Sequence, residues 1–266
     1  MAYGLALITG ATSGIGETFA RELPRTTGLL LTGRDDARLA ALAEELAEPG
    51  RQVETLAADL AGDAGRQALI AHAAELPIDL LINNAGLGYF VPFVDNPAER
   101  EGEMIQVNCL APVLLTRALL PGMLARAAES GRRAGVIVVA STAAFYPLPG
   151  LATYTATKAF DLSFAESLAG ELHGVPVDVL ALCPGPTHSN FFDRSGLPNL
   201  KPAAMASPRQ VVREGLAALG RRTVHVVGSA NRLAAAATRL APRPLLRAGA
   251  RSTMRRWGKR RRAGEV

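Results

Sequence analysis

Seven short, almost wholly apolar runs punctuate this chain, at 4–8, 29–32, 53–57, 79–82, 135–140, 177–182 and 223–227. They are too continuously apolar for a sheet that wets one face, so each reads as a strand buried on both sides. Between them lie stretches rich in Ala, Leu, Glu and Arg, at 15–24, 36–48, 63–75, 97–129, 153–173 and 208–219. Strand and helix in this alternation require right-handed crossovers, which predicts an α/β fold with a doubly wound parallel sheet. No Pro/Gly/Ser-rich linker divides the units, so residues 1–238 are expected to form a single domain, with 239–266 as a C-terminal extension.

Composition narrows the function classes. A 266-residue chain that is 48% hydrophobic can bury a substantial core. Its two cysteines, Cys109 and Cys183, are too few for a secreted disulfide framework and too far apart for a CxxC site. They read as core residues, and a reducing, cytoplasmic compartment is expected. No His, Cys, Asp and Glu cluster has metal-ligand spacing, so no metal is expected. Met1-Ala2-Tyr3 runs straight into the first strand-like run, without the pattern of an export signal. Residues 134–157 carry no charge, but Pro147, Pro149 and Gly150 break any membrane span there.

The formal charge of +5 suggests an anionic partner until it is partitioned. Residues 239–266 hold ten Arg/Lys against one acid, leaving 1–238 mildly acidic at −4. Arg239, Arg243, Arg247, Arg251 and Arg255 recur every four residues beside Leu246, Ala250, Met254 and Trp257, which predicts a basic amphipathic helix over about 244–259. Its candidate roles are peripheral contact with an anionic membrane, subunit packing, or solubility alone. Nucleic acid is not an expected partner, since the body is acidic and no reader motif is present.

After the first strand, TGATSGIG at 9–16 places Gly10, Gly14 and Gly16 between strand and helix. Glycines there permit a tight turn and let backbone N–H groups approach a pyrophosphate at the helix N-terminus, with Thr12, Ser13 and Ile15 in the same loop. A helix-start turn packed by glycines is the bland alternative. Three further motifs stand in register: NNAG at 83–86, Ser141 thirteen residues before YTATK at 154–158, and CPGPT at 183–187. Together the four resemble the short-chain dehydrogenase/reductase family from residue 4 to about 227. The resemblance implies a Rossmann-type seven-stranded sheet of order 3-2-1-4-5-6-7, an NAD(P) cofactor, carbonyl/alcohol redox chemistry and a homodimer or tetramer packed through helices 97–129 and 153–173.

Tyr154 and Lys158, spaced i, i+4, project from one helix face. Without further context they could equally be an amphipathic surface pair. A free phenol is a poor proton shuttle at neutral pH, but a nearby ammonium and an oxidised nicotinamide favour its phenolate. Tyr154 is therefore the expected general acid in reduction and general base in oxidation. By the resemblance, Lys158 would also bind the nicotinamide ribose, Ser141 would donate to the carbonyl oxygen, and Asn108 would order a water beside Lys158.

At the end of the second strand, Gly33 stands where a ribose-reading acid would favour NAD, and Arg34 follows it. An Arg there pairs with the 2′-phosphate of NADP, so NADP is the preferred cofactor and NAD the less favoured one. Arg38 reads as a solvated helix residue that could assist, and Asp35 and Asp36 as helix N-cap residues. Asp59 and Leu60 match the family's adenine contacts, Asn84, Ala85 and Gly86 line the dinucleotide, and Pro184, Gly185 and Thr187 meet the nicotinamide end. Asn83 reads as structural, satisfying backbone groups where the fourth strand meets the cofactor, and His188 as a polar loop residue.

Three segments, 87–94, 143–151 and 186–206, are expected to wall a substrate cleft. They gather Tyr89, Phe90, Phe93, Phe145, Tyr146, Leu148, Phe191, Phe192, Leu197, Leu200 and Met205, pointing to an apolar ketone, aldehyde or alcohol. Two other readings stay open: a non-redox enzyme of the same fold, epimerase-like, and a non-enzymatic NADP-binding sensor docked by its basic tail.

Overall fold

The computed structural model describes residues 3–189, 191–196 and 205–242, together with 244, 246 and 249. Seven parallel strands form one sheet: β1 (Leu5–Thr9), β2 (Gly28–Gly33), β3 (Val53–Ala57), β4 (Leu80–Asn83), β5 (Ala134–Val139), β6 (Val177–Cys183) and β7 (Val224–Val226). Their order is β3-β2-β1-β4-β5-β6-β7, as the family resemblance implies. The central strands β1 and β4 are buried along their whole length. The edge strands differ from expectation: β3 and β7 are only half-buried, because each has a neighbour on one side alone.

Successive strand residues face opposite layers, and both layers are apolar. Leu5, Leu7 and Leu81 point toward α3 (Asp63–Ala74), α5 (Ala111–Ser130) and α6 (Ala152–Glu171), meeting Leu69, Leu119 and Leu162. Ala6, Ile8 and Ile82 point the other way, to α1 (Gly14–Glu22), α2 (Asp36–Leu46) and α8 (Pro208–Ala218), meeting Phe19, Leu39 and Val211. Asp35 caps α2, its carboxylate accepting from the Arg38 N–H at 3.1 Å, and Ser207 caps α8 in the same way.

The helical stretch expected at 97–129 is α4 (Ala98–Ile105) joined to α5 through a π-helical turn at Gln106–Leu110. By length and composition the run Ala98–Ser130 could cross a membrane, with mean hydropathy 1.5 in its most apolar window. Here it buries Met104, Leu115, Leu119 and Met123. Two further helices go beyond the sequence reading: a short α7 (Phe191–Arg194) and α9 (Ser229–Leu240). The strands of the sheet all run in one direction, so their carboxyl ends lie along one edge, where α/β sheets place their ligands.

Candidate active site

A cleft of about 920 Å³ opens along that edge, running from the glycine loop past β4 and β5 to α6 and the loop after β6. Its floor begins at the turn after β1. Gly10 and Gly14 have φ of +67° and +58°, a left-handed backbone that only glycine adopts without strain. A side chain on Gly16 would lie 2.2 Å from the Gly10 carbonyl oxygen, so the turn closes only with glycine there. Ser13 makes no side-chain cap to α1, and the first N–H groups of that helix stay open toward the cleft. This cradle fits a dinucleotide pyrophosphate.

Of the residues singled out from the sequence, Gly10, Thr12, Ser13, Gly14, Ile15, Arg34, Asp59, Leu60, Asn84, Ala85, Gly86, Ser141, Tyr154, Lys158, Pro184, Gly185 and Thr187 all line this cleft. Gly16 and Asn108 stand behind its wall. Asn108, fully buried in the π-helical turn, accepts from the Leu87 N–H at 2.8 Å and donates to the Leu87 carbonyl and Thr157 Oγ1, both at 2.9 Å. It therefore clamps the chain after β4 to α6. Its Oδ1 and the Lys158 ammonium both lie within 4 Å of where a Gly86 side chain would be.

Asn84 lines the cleft as expected, but the backbone-satisfying role expected of Asn83 also falls to it. Asn84 satisfies the backbone, donating to the Thr9 carbonyl at 2.8 Å and, at 3.3 Å, to that of Gly10. Asn83 points instead to Thr116 Oγ1 at 3.1 Å, because its position on β4 faces the α5 layer. Asp59 accepts from the Ala61 N–H and so also shapes the turn after β3. Arg34 is exposed at the cleft rim, while Arg38 pairs with Asp35 at 3.2 Å. His188 is exposed and lines a smaller hollow that adjoins the cleft at Thr12, Ser13, Gly14 and Ser189.

Ser141 caps the short 3-10 turn Thr142–Phe145, its hydroxyl accepting from the Ala143 N–H at 3.1 Å. Tyr154 and Lys158 sit in the first two turns of α6. Lys158 is 5% exposed, and its ammonium donates to the Val139 carbonyl at 2.8 Å and to Asp161 Oδ2 at 2.9 Å. The sequence alone favours a lowered phenol pKa at Tyr154, but among the chain's own groups the balance goes the other way. Burial raises it, with Asp161 and Tyr146 adding to the rise, against the Lys158 ammonium and a hydrogen bond with Ser141.

The three expected cleft segments are stitched together. The Phe90 N–H donates to the Ser195 carbonyl at 2.8 Å and the Val91 N–H to the Gly150 carbonyl at 3.1 Å. Tyr89, Phe90, Tyr146, Leu148, Phe191 and Phe192 line the space, and the Phe191 ring stands 5.3 Å from that of Tyr154. A side chain on Gly88 would collide with both of those rings. Phe93 departs from expectation, being 63% exposed where its 3-10 turn faces solvent, and Phe145 packs into the α-helical layer instead. Met205 is half-buried but not in the cleft wall, and Leu197 and Leu200 lie outside the described residues.

Leu246 and Gly249 also line the cleft. Sequence reasoning missed them because it treated everything after 238 as an appendage. Most of the helix expected over 244–259 lies outside the described residues.

Residues 4–197 match the family model of the short chain dehydrogenases. Over 227 residues the chain is 34% identical to a very-long-chain 3-oxoacyl-CoA reductase of Phaeosphaeria nodorum, which covers 81% of this chain and 63% of that relative's length. A solved short-chain dehydrogenase of Sphingobium yanoikuyae, in complex with NADPH, is 33% identical with a TM-score of 0.75, covering 84% of this chain and 86% of that one. A bulky-bulky ketone specific alcohol dehydrogenase of Comamonas testosteroni is 30% identical with a TM-score of 0.71, covering 85% and 86%.

Proposed function

The chain belongs to the short-chain dehydrogenase/reductase family, and from that premise we propose that it is an NADP(H)-preferring reductase of bulky or long apolar ketones. One observation carries the reading: a single cleft joins the glycine cradle to Ser141 and Tyr154 and continues into aromatic walls. The names of the two ketone-directed relatives support the substrate class, and the NADPH of the Sphingobium protein supports the cofactor.

When bound, the reduced nicotinamide supplies the hydride that becomes the alcohol C–H bond. The glycine loop and the open first turn of α1 would hold the pyrophosphate, and Arg34 the 2′-phosphate. Asp59 and Leu60 would flank the adenine, and Pro184, Gly185 and Thr187 the nicotinamide. Lys158 has three N–H donors, of which Val139 and Asp161 take two, leaving one for the ribose. Ser141 Oγ–H would bind the carbonyl oxygen as charge develops on it, and Tyr154 Oη would deliver the proton.

A homo-oligomer built through α4, α5 and α6 is supported by Ile105 and Phe160, which stay exposed on that face. Two unpaired thiols support a reducing cytoplasmic location, and the basic composition of 239–266 supports peripheral contact with anionic membranes.

The test is NADPH consumption across 3-oxoacyl thioesters and ketones graded by chain length and ring number, run on the wild type and Arg34→Ala. The reading expects turnover that rises with apolar bulk, and a KM for NADPH about 10–100-fold higher in the variant with NADH little affected, the loss of one charge-assisted contact. No NADPH turnover on any carbonyl, or equal efficiency with NADH in the wild type, would overturn it.

A further inference from the structure

Asp161 lies one turn beyond Lys158 on α6 and is 1% exposed. Its Oδ2 accepts from the Lys158 ammonium at 2.9 Å, whereas its Oδ1 is buried without a hydrogen-bond partner among the described residues. A carboxylate in an apolar helix layer is retained at a penalty unless its partner repays it, and here that partner is the lysine of the YTATK motif. The flanking buried neighbours of Asp161 on the same helix are Leu162 and Ala165.

We propose that Asp161 is a positioning residue: it holds Lys158 in a buried ion pair, screens the ammonium charge from Tyr154, and so keeps the phenolic proton available for donation to a carbonyl. The inference rests on the proposed function for its meaning, since screening favours reduction over alcohol oxidation. In the reducing direction the Tyr154 Oη–H bond breaks and its proton joins the carbonyl oxygen, the carbonyl carbon would receive the hydride (a hydrogen with its electron pair) that the reduced nicotinamide supplies when bound and that leaves it oxidised, and the phenolate recovers a proton from solvent.

The electrostatics around the pair agree. Burial works hardest, stripping the Lys158 proton, but Asp161, with Tyr154 and Cys109 adding to it, holds the lysine above its ordinary value. Burial lifts the Asp161 carboxyl, opposed by that same ammonium. The other titratable groups that reach the pair are Cys109 from the π-helical turn, Cys183 at the end of β6 and, toward Tyr154, Tyr146. Burial pushes the two thiols up to about 11 and about 12, so they are neutral in the physiological range and Asp161 supplies the local negative charge.

The experiment is a tyrosinate absorbance titration of the full chain, with Tyr154→Phe subtracted to isolate one of the four tyrosines. It is run on the wild type and on Asp161→Asn, with circular dichroism to verify folding. Removing the charge is expected to lower the Tyr154 midpoint by about one pH unit or more, a tenfold gain in acidity, because the forming tyrosinate then replaces Asp161 as the anion that keeps Lys158 protonated. The acidic limb of alcohol oxidation should move down by the same amount. If the amide variant does not fold, Asp161→Val, with an apolar side chain of similar volume, reads the same midpoint. A midpoint that stays or rises overturns the inference. Absence of carbonyl turnover would instead strike the proposed function, because the titration does not depend on substrate.

Discussion

Replacing Tyr154 with Phe removes a single oxygen atom from the cleft and leaves its ring packed on Phe191. Turnover should fall by about 10²–10⁴, the usual worth of a positioned general acid. NADPH affinity, followed by cofactor fluorescence, and the thermal midpoint should change little. Near-wild-type turnover would show that the proton comes from elsewhere. At this scale the sequence was most readable where spacing carries geometry: Tyr154 and Lys158 at i, i+4 share one face of α6 whatever surrounds them. Asp161 was not readable, since an acid three residues after a lysine usually marks a solvated surface pair. Only the packing of α6 on β5 and β6 buries it. That Asn84 and not Asn83 satisfies the backbone has a related cause, because which of two adjacent amides faces the glycine loop depends on the register of β4 against β1.

Among elements, Glu214 fastens the far end of the sheet. From α8 it accepts from the Gly228 N–H at 3.3 Å, meets His225 of β7 at 2.8 Å and Arg232 of α9 at 3.3 Å. Burial works to raise its carboxyl, but Gln210, His225 and the Gly228 N–H together hold it below the ordinary value. A depressed carboxyl contributes stability that is present above its unfolded pKa and lost as pH falls through the folded one. Glu214→Gln should therefore cost about 1–2 kcal/mol near neutral pH, a few degrees in Tm, with the gap to wild type closing as pH falls through the lowered carboxyl midpoint of the folded protein. A constant gap across that range in melting curves would contradict this. The alternation of strands and helices was legible because buried parallel strands cannot hide their apolar runs. The π-helical turn was not, since a shifted hydrogen bond leaves no mark in residue type. Nor was α9, where Ala234, Ala235, Ala236 and Ala237 give little contrast between faces.

For the molecule as a whole, the C-terminal segment is part of the site through Leu246 and Gly249. Truncation after residue 242 should leave the sheet and NADPH binding intact, raise KM for long or bulky ketones several-fold, and spare small ones. Co-sedimentation of the same pair with anionic vesicles separates this wall-forming role from membrane contact. Unchanged KM values across the substrate series would remove Leu246 and Gly249 from substrate binding. This return of the chain to the cleft was hidden in the sequence, because residues as far apart as 90 and 246 lining one cleft leave no local signature, whereas the charge of the tail does. The backbone ties of Phe90 to Ser195 and of Val91 to Gly150 have a practical meaning for protein engineers. Libraries that randomise one of the three loops in isolation would mostly break its seams with the other two. Altered selectivity should come more often from libraries that vary all three together while keeping the tied positions as they are.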